Sequence, residues 1–521
     1  MLGIAGKTHR LVCAEKGDLA KMELSPQQEA VMSWASEKEG HLNLVARAGT
    51  GKTTTLIEMC SRVPGTIFLG AFNKKIAEEI KLRLQESNLP LATASTMHAA
   101  GFGAWKRISP SCSVDGNKLF NIAREMGINK EEVAPICQAV SLAKQNLLQP
   151  LIDLLDWEVL WDHFEIDTDL PLTPRVAKIA NHLLAKSILQ NEEFVDFDDM
   201  IYAPLVSGCR VPTYDWVFID EAQDTNTSRR ELAIRMLNGS GRLVAVGDER
   251  QAIYGFTGAD SDAMQLIQDR LGSVSLPLTI TYRCPKSVVR LAQTWVPDIE
   301  AFETNPEGAV RELPEERFSI QIPGNQDVIL CRNSKPLIEL AYQAIKAGRG
   351  VRVEGREIGK GLLKLAQRFK EDNLREILPR LARYQEEETY RLREKMKFNQ
   401  IQNLEDKCET LSLMISQSLE SGGRSIAHLQ QRIESLFGDT YGKQTLLTLS
   451  TIHKAKGREW DHVWLWGRNR YQPSYYAKLS LDRGVSWPMQ QEENLCYVAV
   501  TRAKKILTEV VVENPFGQKK G

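Results

Sequence analysis

The sequence predicts an α/β fold with parallel sheets interrupted by mainly helical insertions, and three observations predict it. Short apolar runs end in loops rich in Gly, Asp or Asn: Leu42–Ala46 before ARAGTGKT, 216–219 before DEAQD and 243–246 before GDERQ, with further runs at Val328–Cys331, 446–449 and 463–466. Runs of this length bounded by turn residues are typical of buried parallel strands. Helical patterns such as IAEEIKLRL at 76–84 lie between them, and such alternation puts ligand-binding loops at the carboxyl ends of strands. Two stretches, at about 104–190 and 356–440, break the rhythm with helical spacing alone.

Composition bounds the rest. The 521 residues are 42 % hydrophobic and 26 % charged, which excludes a mainly disordered, collagen-like or membrane-spanning chain. Length alone suggests about three to four domains. Lys plus Arg (66) nearly cancels Asp plus Glu (67), for a net charge of −1. That balance excludes a protein that coats a polyanion by bulk charge, but leaves room for a narrow groove with a few cations. The nine cysteines are scattered without a C-x-x-C, so reduced thiols in a cytoplasmic protein are expected, with no zinc site or disulfide framework. Lys7 and Arg10 precede any apolar segment, so neither a signal peptide nor a membrane partner is expected.

Within the helical stretches, apolar spacing marks 147–155 and 176–189 in the first. In the second, Leu362, Leu365, Ala366 and Phe369, then Leu374, Ile377, Leu378 and Leu381, form helix stripes on a charged background. Pro379 is expected to kink or break its helix, and the glycines at 422–423 to end the block before a last helix at 425–437.

ARAGTGKT at 46–53 has the P-loop form with Ala46 at the first glycine's place. Ala48, Gly49, Thr50, Gly51 and Thr54 belong to a turn and helix start whose backbone N–H groups surround phosphates. Lys52 is placed to reach the β/γ-phosphates and the Thr53 hydroxyl to ligate Mg²⁺. In DEAQD, Asp220 at a strand end is placed to hold Mg²⁺ through water, and Glu221 to orient or deprotonate the attacking water. Charge developing on the γ-phosphate also needs cations, for which Arg283 in TYRCP and Arg502 in VAVTRAKK are candidates. Taken singly, each could equally be a surface ion pair.

The ordered set ARAGTGKT, DEAQDTN, GDERQAIYGFTGAD, TYRCP, STIHKAKGREWDHV and ENLCYVAVTRAKK resembles the motifs of superfamily 1 helicases of the UvrD/Rep type. FNKKIAEEI and STMHAAGFGAW also resemble the F-box DNA helicase branch and its phage and bacterial relatives. The resemblance implies two RecA-like domains with ATP and Mg²⁺ between them. Their expected extents are 1–103 with 191–290, and 291–355 with 441–521; the insertions are 104–190 (1B-like) and 356–440 (short, 2B-like).

It further implies that Gln251 senses the γ-phosphate and that Arg283 from the first lobe and Arg502 from the second act as arginine fingers. Tyr282 stacks on adenine, Glu459 approaches the ribose, and Gln27 or Gln28 in LSPQQEAV reads adenine. Phe72, Asn73, Thr96, His98, Tyr254, Phe256, His453 and Lys456 take the DNA-facing positions. Relatives have Trp where Phe256 stands, Arg at Thr257, and an aromatic at Ala71. Implied partners are single-stranded and tailed duplex DNA, bound by a monomer or weak oligomer of bacterial or phage origin, associated with the nucleoid. The implied activity is ATP-driven 3′→5′ movement with duplex unwinding. A translocase that strips proteins from DNA, or a P-loop signalling ATPase or non-catalytic DNA scaffold, are the alternatives. No acidic cluster with a lysine of nuclease type stands out, so no DNA cleavage is expected.

Overall fold

A computed structural model describes residues 24–513, apart from 165, 167–169, 171, 254–261, 395–397 and 438–445. The first sheet contains β1 (Leu42–Ala46), β2 (Ile67–Ala71), β3 (Ala92–Thr96), β4 (Tyr214–Ile219), β5 (Leu237–Gly247) and β6 (Val274–Leu278). Its strands are all parallel, in the order β3-β2-β4-β5-β1-β6. The loops after β1, β2, β4 and β5 therefore emerge along one edge, which gathers the P-loop, Asn73, Asp220 and Asp248.

The second sheet contains β7 (Ala309–Pro314), β8 (Val328–Cys331), β9 (Val351–Val353), β10 (Leu447–Thr451), β11 (Trp460–Trp466) and β12 (Ala503–Val511). It too is parallel, in the order β7-β12-β11-β8-β10-β9. Alternation along each strand divides two cores. Val328, Leu330, Val463, Leu465 and Leu507 face one, which also takes in Ala48 and Ile253 of the first lobe. Ile329, Cys331, Trp464 and Trp466 face the other. Cys284, Val288 and Val289 also pack into the first of these cores, which is thus shared by both lobes.

The two insertions are anchored differently. The helices Lys118–Glu125, Lys130–Gln145, Leu154–His163 and Pro174–Leu189 build a core of their own around Trp157, Ile136 and Leu183. The second insertion packs mainly on the second sheet: Leu362, Leu365, Leu374, Ile377 and Leu381 join the same cluster as Ile329 and Leu449, while Leu392 and Ile401 form a small cluster with Tyr476. Of the kink or break expected at Pro379, the break is absent: the helix runs through it from Leu374 to Glu394. The proline lies in the second turn, so its missing N–H deprives only the carbonyl of Arg375 near the helix start. Burial of Ile377 and Leu381 holds the helix on the sheet. The glycine-marked turn is present, with Gly422 at φ 86° between Phe398–Glu420 and Ile426–Phe437.

A buried ionic cluster ties the first insertion to its lobe. Lys144 Nζ lies 2.5 Å from Asp196 and 2.8 Å from Asp199, and Lys118 Nζ lies 2.7 Å from Asp199. Burial alone would strip the proton from Lys144, but the two carboxylates reverse this and raise its pKa. Removing one partner of a buried ion pair leaves an uncompensated charge, at a cost of about 3–5 kcal/mol. Lys144→Met is accordingly expected to destabilise the insertion by about that much, read as an earlier unfolding transition in urea than the parent chain shows.

Candidate functional site

β1 ends at Ala46 and the chain turns through Gly49 (φ 75°) and Gly51 (φ 80°) into the helix Lys52–Arg62. These left-handed conformations suit glycine. A Cβ at Gly49 would also stand 2.5 Å from Arg283 Cβ and Thr281 Oγ1. The turn opens on a cleft of about 550 Å³ lined by Gly49, Thr50, Gly51, Lys52, Thr53 and Thr54. Glu221, Gln251, Tyr282, Arg283, Glu459 and Arg502 also line it, so motifs from both lobes meet there. Ala48 lies behind the wall, where its N–H donates to Tyr497 Oη at 2.9 Å.

Asp220 follows β4 and is buried; its Oδ1 accepts from the Glu221 N–H at 2.9 Å. Burial and the charge of Glu221 push the Asp220 carboxyl up to about 7, against the pull of Lys52. Glu221 goes the other way, down to about 2, because Lys52, Lys456, a bond from Gln223 and Arg502 outweigh its burial. The two neighbouring carboxyls are thus driven apart in proton affinity, Asp220 upward and Glu221 downward. Glu221 sits at φ 52°, a left-handed conformation that costs a non-glycine residue on the order of 1–3 kcal/mol. The surrounding bonds hold that backbone so that the carboxylate faces the cleft.

A relay of hydrogen bonds joins the acids to the other lobe. Gln223 Nε2 donates to Glu221 Oε2 at 2.5 Å, and its Oε1 accepts from the Asp248 N–H at 2.9 Å. Fully buried Asp248 accepts from Arg47 Nη1 at 3.0 Å, Gln251 Nε2 at 2.7 Å and Tyr497 Oη at 3.3 Å. Arg47 also grips Asp298 through Nε and Nη2. Arg502, 2 % exposed, reaches Gln251 Oε1 at 3.4 Å and spends its other donors on the carbonyls of Val498 and Arg458 and on Thr501. Burial and the neighbouring Arg283 lower its pKa to about 10, which leaves it cationic at neutral pH.

Lys456, expected to face DNA, lies at the nucleotide cleft. Its Nζ donates to Asp224 Oδ1 and Oδ2 at 2.9 and 2.7 Å and to the Gln251 carbonyl at 2.6 Å, with both side chains under 10 % exposed. Arg283 pairs with Glu459 across the same cleft. Tyr282 donates its N–H to the Gly49 carbonyl and its hydroxyl to Gln28 Oε1, and its ring packs on Phe302 at 4.8 Å. Gln28 is buried in a capping box with Ser25 and donates to Thr55 Oγ1 at 3.0 Å; Gln27 instead binds the N–H and hydroxyl of Thr279.

The expected DNA-facing residues are dispersed. Phe72 is 42 % exposed and, with Asn73, lines the cleft mouth. Asn73 caps the helix Lys74–Glu86 and Thr96 caps Met97–Trp105. Burial lowers His98 to about 4 and His453 to about 3, assisted by Arg229 and by Arg332 and Lys454 respectively, so both are neutral at neutral pH. Tyr254 and Phe256 lie outside the described residues. Sequence reasoning missed Arg47, Gln223, Asp224, Asp248, Phe302 and Tyr497. Only Arg47 carried a local signal, as a large cation inside a P-loop; the others have partners far along the chain.

The UvrD/REP helicase N-terminal domain family matches residues 24–271, and the UvrD-like helicase C-terminal domain family matches 277–514. The chain belongs to the UvrD/Rep helicase family. It is 25 % identical over 534 residues to F-box DNA helicase protein 1 of Schizosaccharomyces pombe, covering 93 % of this chain and 57 % of that protein. It is 23 % identical to F-box DNA helicase 1 of Gallus gallus (94 % and 49 % covered), and 28 % identical over 255 residues to the ATP-dependent DNA helicase Rep of Buchnera aphidicola (43 % and 37 % covered). The chain thus spans about half the length of the curated relatives it matches over most of its own. These relatives come from eukaryotes and bacteria alike, so the family match does not select the bacterial or phage source expected. Among solved structures, an Arterivirus nonstructural protein 10 (helicase) aligns with a TM-score of 0.35 at 13 % identity, over 94 % of this chain and 63 % of that one. Among the described residues, no helix is long and apolar enough to cross a membrane.

The Lys456–Asp224 pair closes the cleft between lobes, so its coupling is measurable. Lys456→Met and Asp224→Asn are each expected to lower stability in urea, and the double variant to lose less than the sum of the two. The expected coupling is about 0.5–3 kcal/mol; strict additivity would mean that the pair does not hold the lobes together.

Proposed function

We propose that the protein is an ATP-dependent DNA helicase that moves 3′→5′ along single-stranded DNA and separates duplexes. The observation that carries this reading is that Arg502 of the second lobe meets Gln251 of the first beside the P-loop. That contact lets the γ-phosphate state set the spacing of the lobes. In this reading Lys52 and the turn amides of 49–51 bind the phosphates, assisted by Thr54, while Ala48, expected among them, has its N–H committed to Tyr497. Thr53 and Asp220 would hold Mg²⁺, which would neutralise charge on the β- and γ-phosphates. Among the described residues no cluster of three or more His, Cys, Asp or Glu offers a metal site of its own. One hydroxyl and one carboxylate beside phosphates suit Mg²⁺, which keeps several waters.

Glu221, ionised and held by Gln223, accepts the proton of the attacking water. Arg283 and Arg502 stabilise the charge developing on the γ-phosphate, which requires Arg283 to exchange its Glu459 partner for phosphate. Glu459 then turns to the ribose. Tyr282 provides the adenine platform, and the choice between the two glutamines falls on Gln28, whose Oε1 accepts from the Tyr282 hydroxyl. We assign Lys456 to lobe closure in place of DNA contact.

Phe72, Asn73, Thr96, His98 and His453 contact the strand, with Tyr254 and Phe256 as further stacking residues, in keeping with sequence-independent binding. Neutral His98 and His453 act there as hydrogen-bonding partners without charge. The chain acts as a monomer or weak oligomer, on single-stranded and tailed duplex DNA. The domain partition is read as two motor lobes, at 1–103 with 191–290 and 291–355 with 441–521, plus the two helical insertions.

A translocase that displaces proteins with little unwinding is the second reading. The observation favouring it is that the insertion at 356–440 shares its core with the second sheet, which leaves it little freedom to act on a duplex by itself. Strand displacement on duplexes with a 3′ or a 5′ single-stranded tail tests the proposal. ATP-dependent displacement from the 3′ tail alone is expected, with DNA-stimulated hydrolysis falling at least about 100-fold in Lys52→Ala, the loss expected when phosphate charge goes unstabilised. Displacement only from the 5′ tail overturns the polarity. Stimulated hydrolysis without displacement favours the translocase, and stimulated turnover retained in Lys52→Ala overturns the nucleotide assignment.

A further inference from the structure

The segment that follows Ile299 leaves the core of the second lobe and runs back behind the TYRC motif. Residues 300–301 pair in parallel with 280–281, and the Phe302 N–H donates to the Thr281 carbonyl at 3.0 Å. Asn305 then spends both hydrogens of its amide, at 2.8 Å each, on the carbonyls of Thr281 and Cys284. Those two carbonyls flank the dipeptide Tyr282–Arg283, so one side chain pins both ends of it.

The Phe302 ring completes the hold. It packs against Tyr282 at 4.8 Å and 45°, while Tyr282 remains 38 % exposed. The Tyr282 hydroxyl is fixed by Gln28 and its N–H by the Gly49 carbonyl. With backbone, hydroxyl and one ring contact all fixed, the tyrosine is held as a rigid plate between the P-loop and the strap. Neither Phe302 nor Asn305 lines the cleft itself.

We propose that Phe302 and Asn305 are positioning residues of the base-binding side of the cleft, Phe302 backing Tyr282 so that the site distinguishes a purine nucleotide from bare triphosphate. This rests on the ATP reading given above. A ring held in place before binding loses little entropy on stacking, and an aromatic pair is worth about a three- to ten-fold change in affinity. Asn305 acts on both members of the dipeptide, so it bears on the phosphate side through Arg283 as well. Because the strap extends from Ile299 in the second lobe's core, recognition of the base is shared between the lobes, as is recognition of the γ-phosphate.

The test is equilibrium binding of ATP and of inorganic tripolyphosphate, each with Mg²⁺, to the full chain. Phe302→Leu is expected to weaken ATP about three- to ten-fold and leave tripolyphosphate unchanged, while Phe302→Tyr restores ATP affinity. In a Tyr282→Leu background, Phe302→Leu is expected to add less than about two-fold, since residues acting through one contact are not additive. Phe302→Met keeps more of the side-chain volume and serves the same comparison if the leucine variant does not fold. Asn305→Ala is expected to weaken both ligands. Equal loss of ATP and tripolyphosphate in Phe302→Leu, or the same loss with and without Tyr282, overturns the positioning role. A parent chain that binds neither ligand overturns the ATP reading instead.

Discussion

Asp248 is the group on which the rest of the site depends. It is a fully buried carboxylate that accepts from Arg47, Gln251, Tyr497 and the Arg250 N–H. An ionised carboxylate taken out of water costs several kcal/mol unless donors surround it. Here they come from the P-loop neck, the loop after β5, and the helix Trp487–Val500 of the second lobe. That requirement fixes one corner of the interface between lobes. Gln251 is oriented as a consequence: its amide nitrogen is committed to Asp248, so its oxygen is left to face Arg502.

Beside that corner, the ion pairs at the cleft differ in burial. Arg283 with Glu459 is partly exposed, whereas Lys456 with Asp224 is buried and spans the lobes. Exposed ion pairs are worth little and re-form readily, whereas an uncompensated buried charge is expensive. Arg47, Asp248 and Tyr497 thus hold one side of the contact between the lobes, and Glu221, Arg283 and Arg502 line the cleft beside it. The hydrophobic contact of Ala48 and Ile253 with the second lobe's core adds to the same fixed corner.

Much of this was legible in the sequence because it is local. A P-loop needs glycines at positive φ, and an acidic loop after an apolar run needs only its strand, so Lys52, Thr53, Asp220 and Glu221 could be located from a few residues each. The stripe from Leu362 to Leu381 likewise announced helices, although a proline rule that holds in a helix interior misjudged Pro379 near a helix start. What could not be read were partners set by topology. Lys456 looks like a phosphate contact until Asp224, 232 residues earlier, is seen beside it. Gln27 and Gln28 are adjacent and identical, and only the helix turn decides which one faces Tyr282. Phe302 and Asn305 belong to no motif. The net charge of −1 also finds its place, since several of the cations counted, among them Arg47, Lys118, Lys144 and Lys456, are already paired with carboxylates.

The central claim is that nucleotide pulls the lobes together through Arg502 about a corner held by Asp248. Cysteines introduced for spin labels at Leu91 and Ile345, exposed on the first and second lobe respectively, allow that distance to be measured. The eight cysteines among the described residues are buried, and replacing the ninth, Cys13, by serine directs labelling to the two introduced sites. Electron–electron double resonance, without nucleotide and with a non-hydrolysable ATP analogue and Mg²⁺, is the most direct test. The account predicts that the analogue changes the distance distribution in the parent chain and leaves it unchanged in Arg502→Ala. An identical change in both, or none in a parent chain shown to bind the analogue, would contradict it.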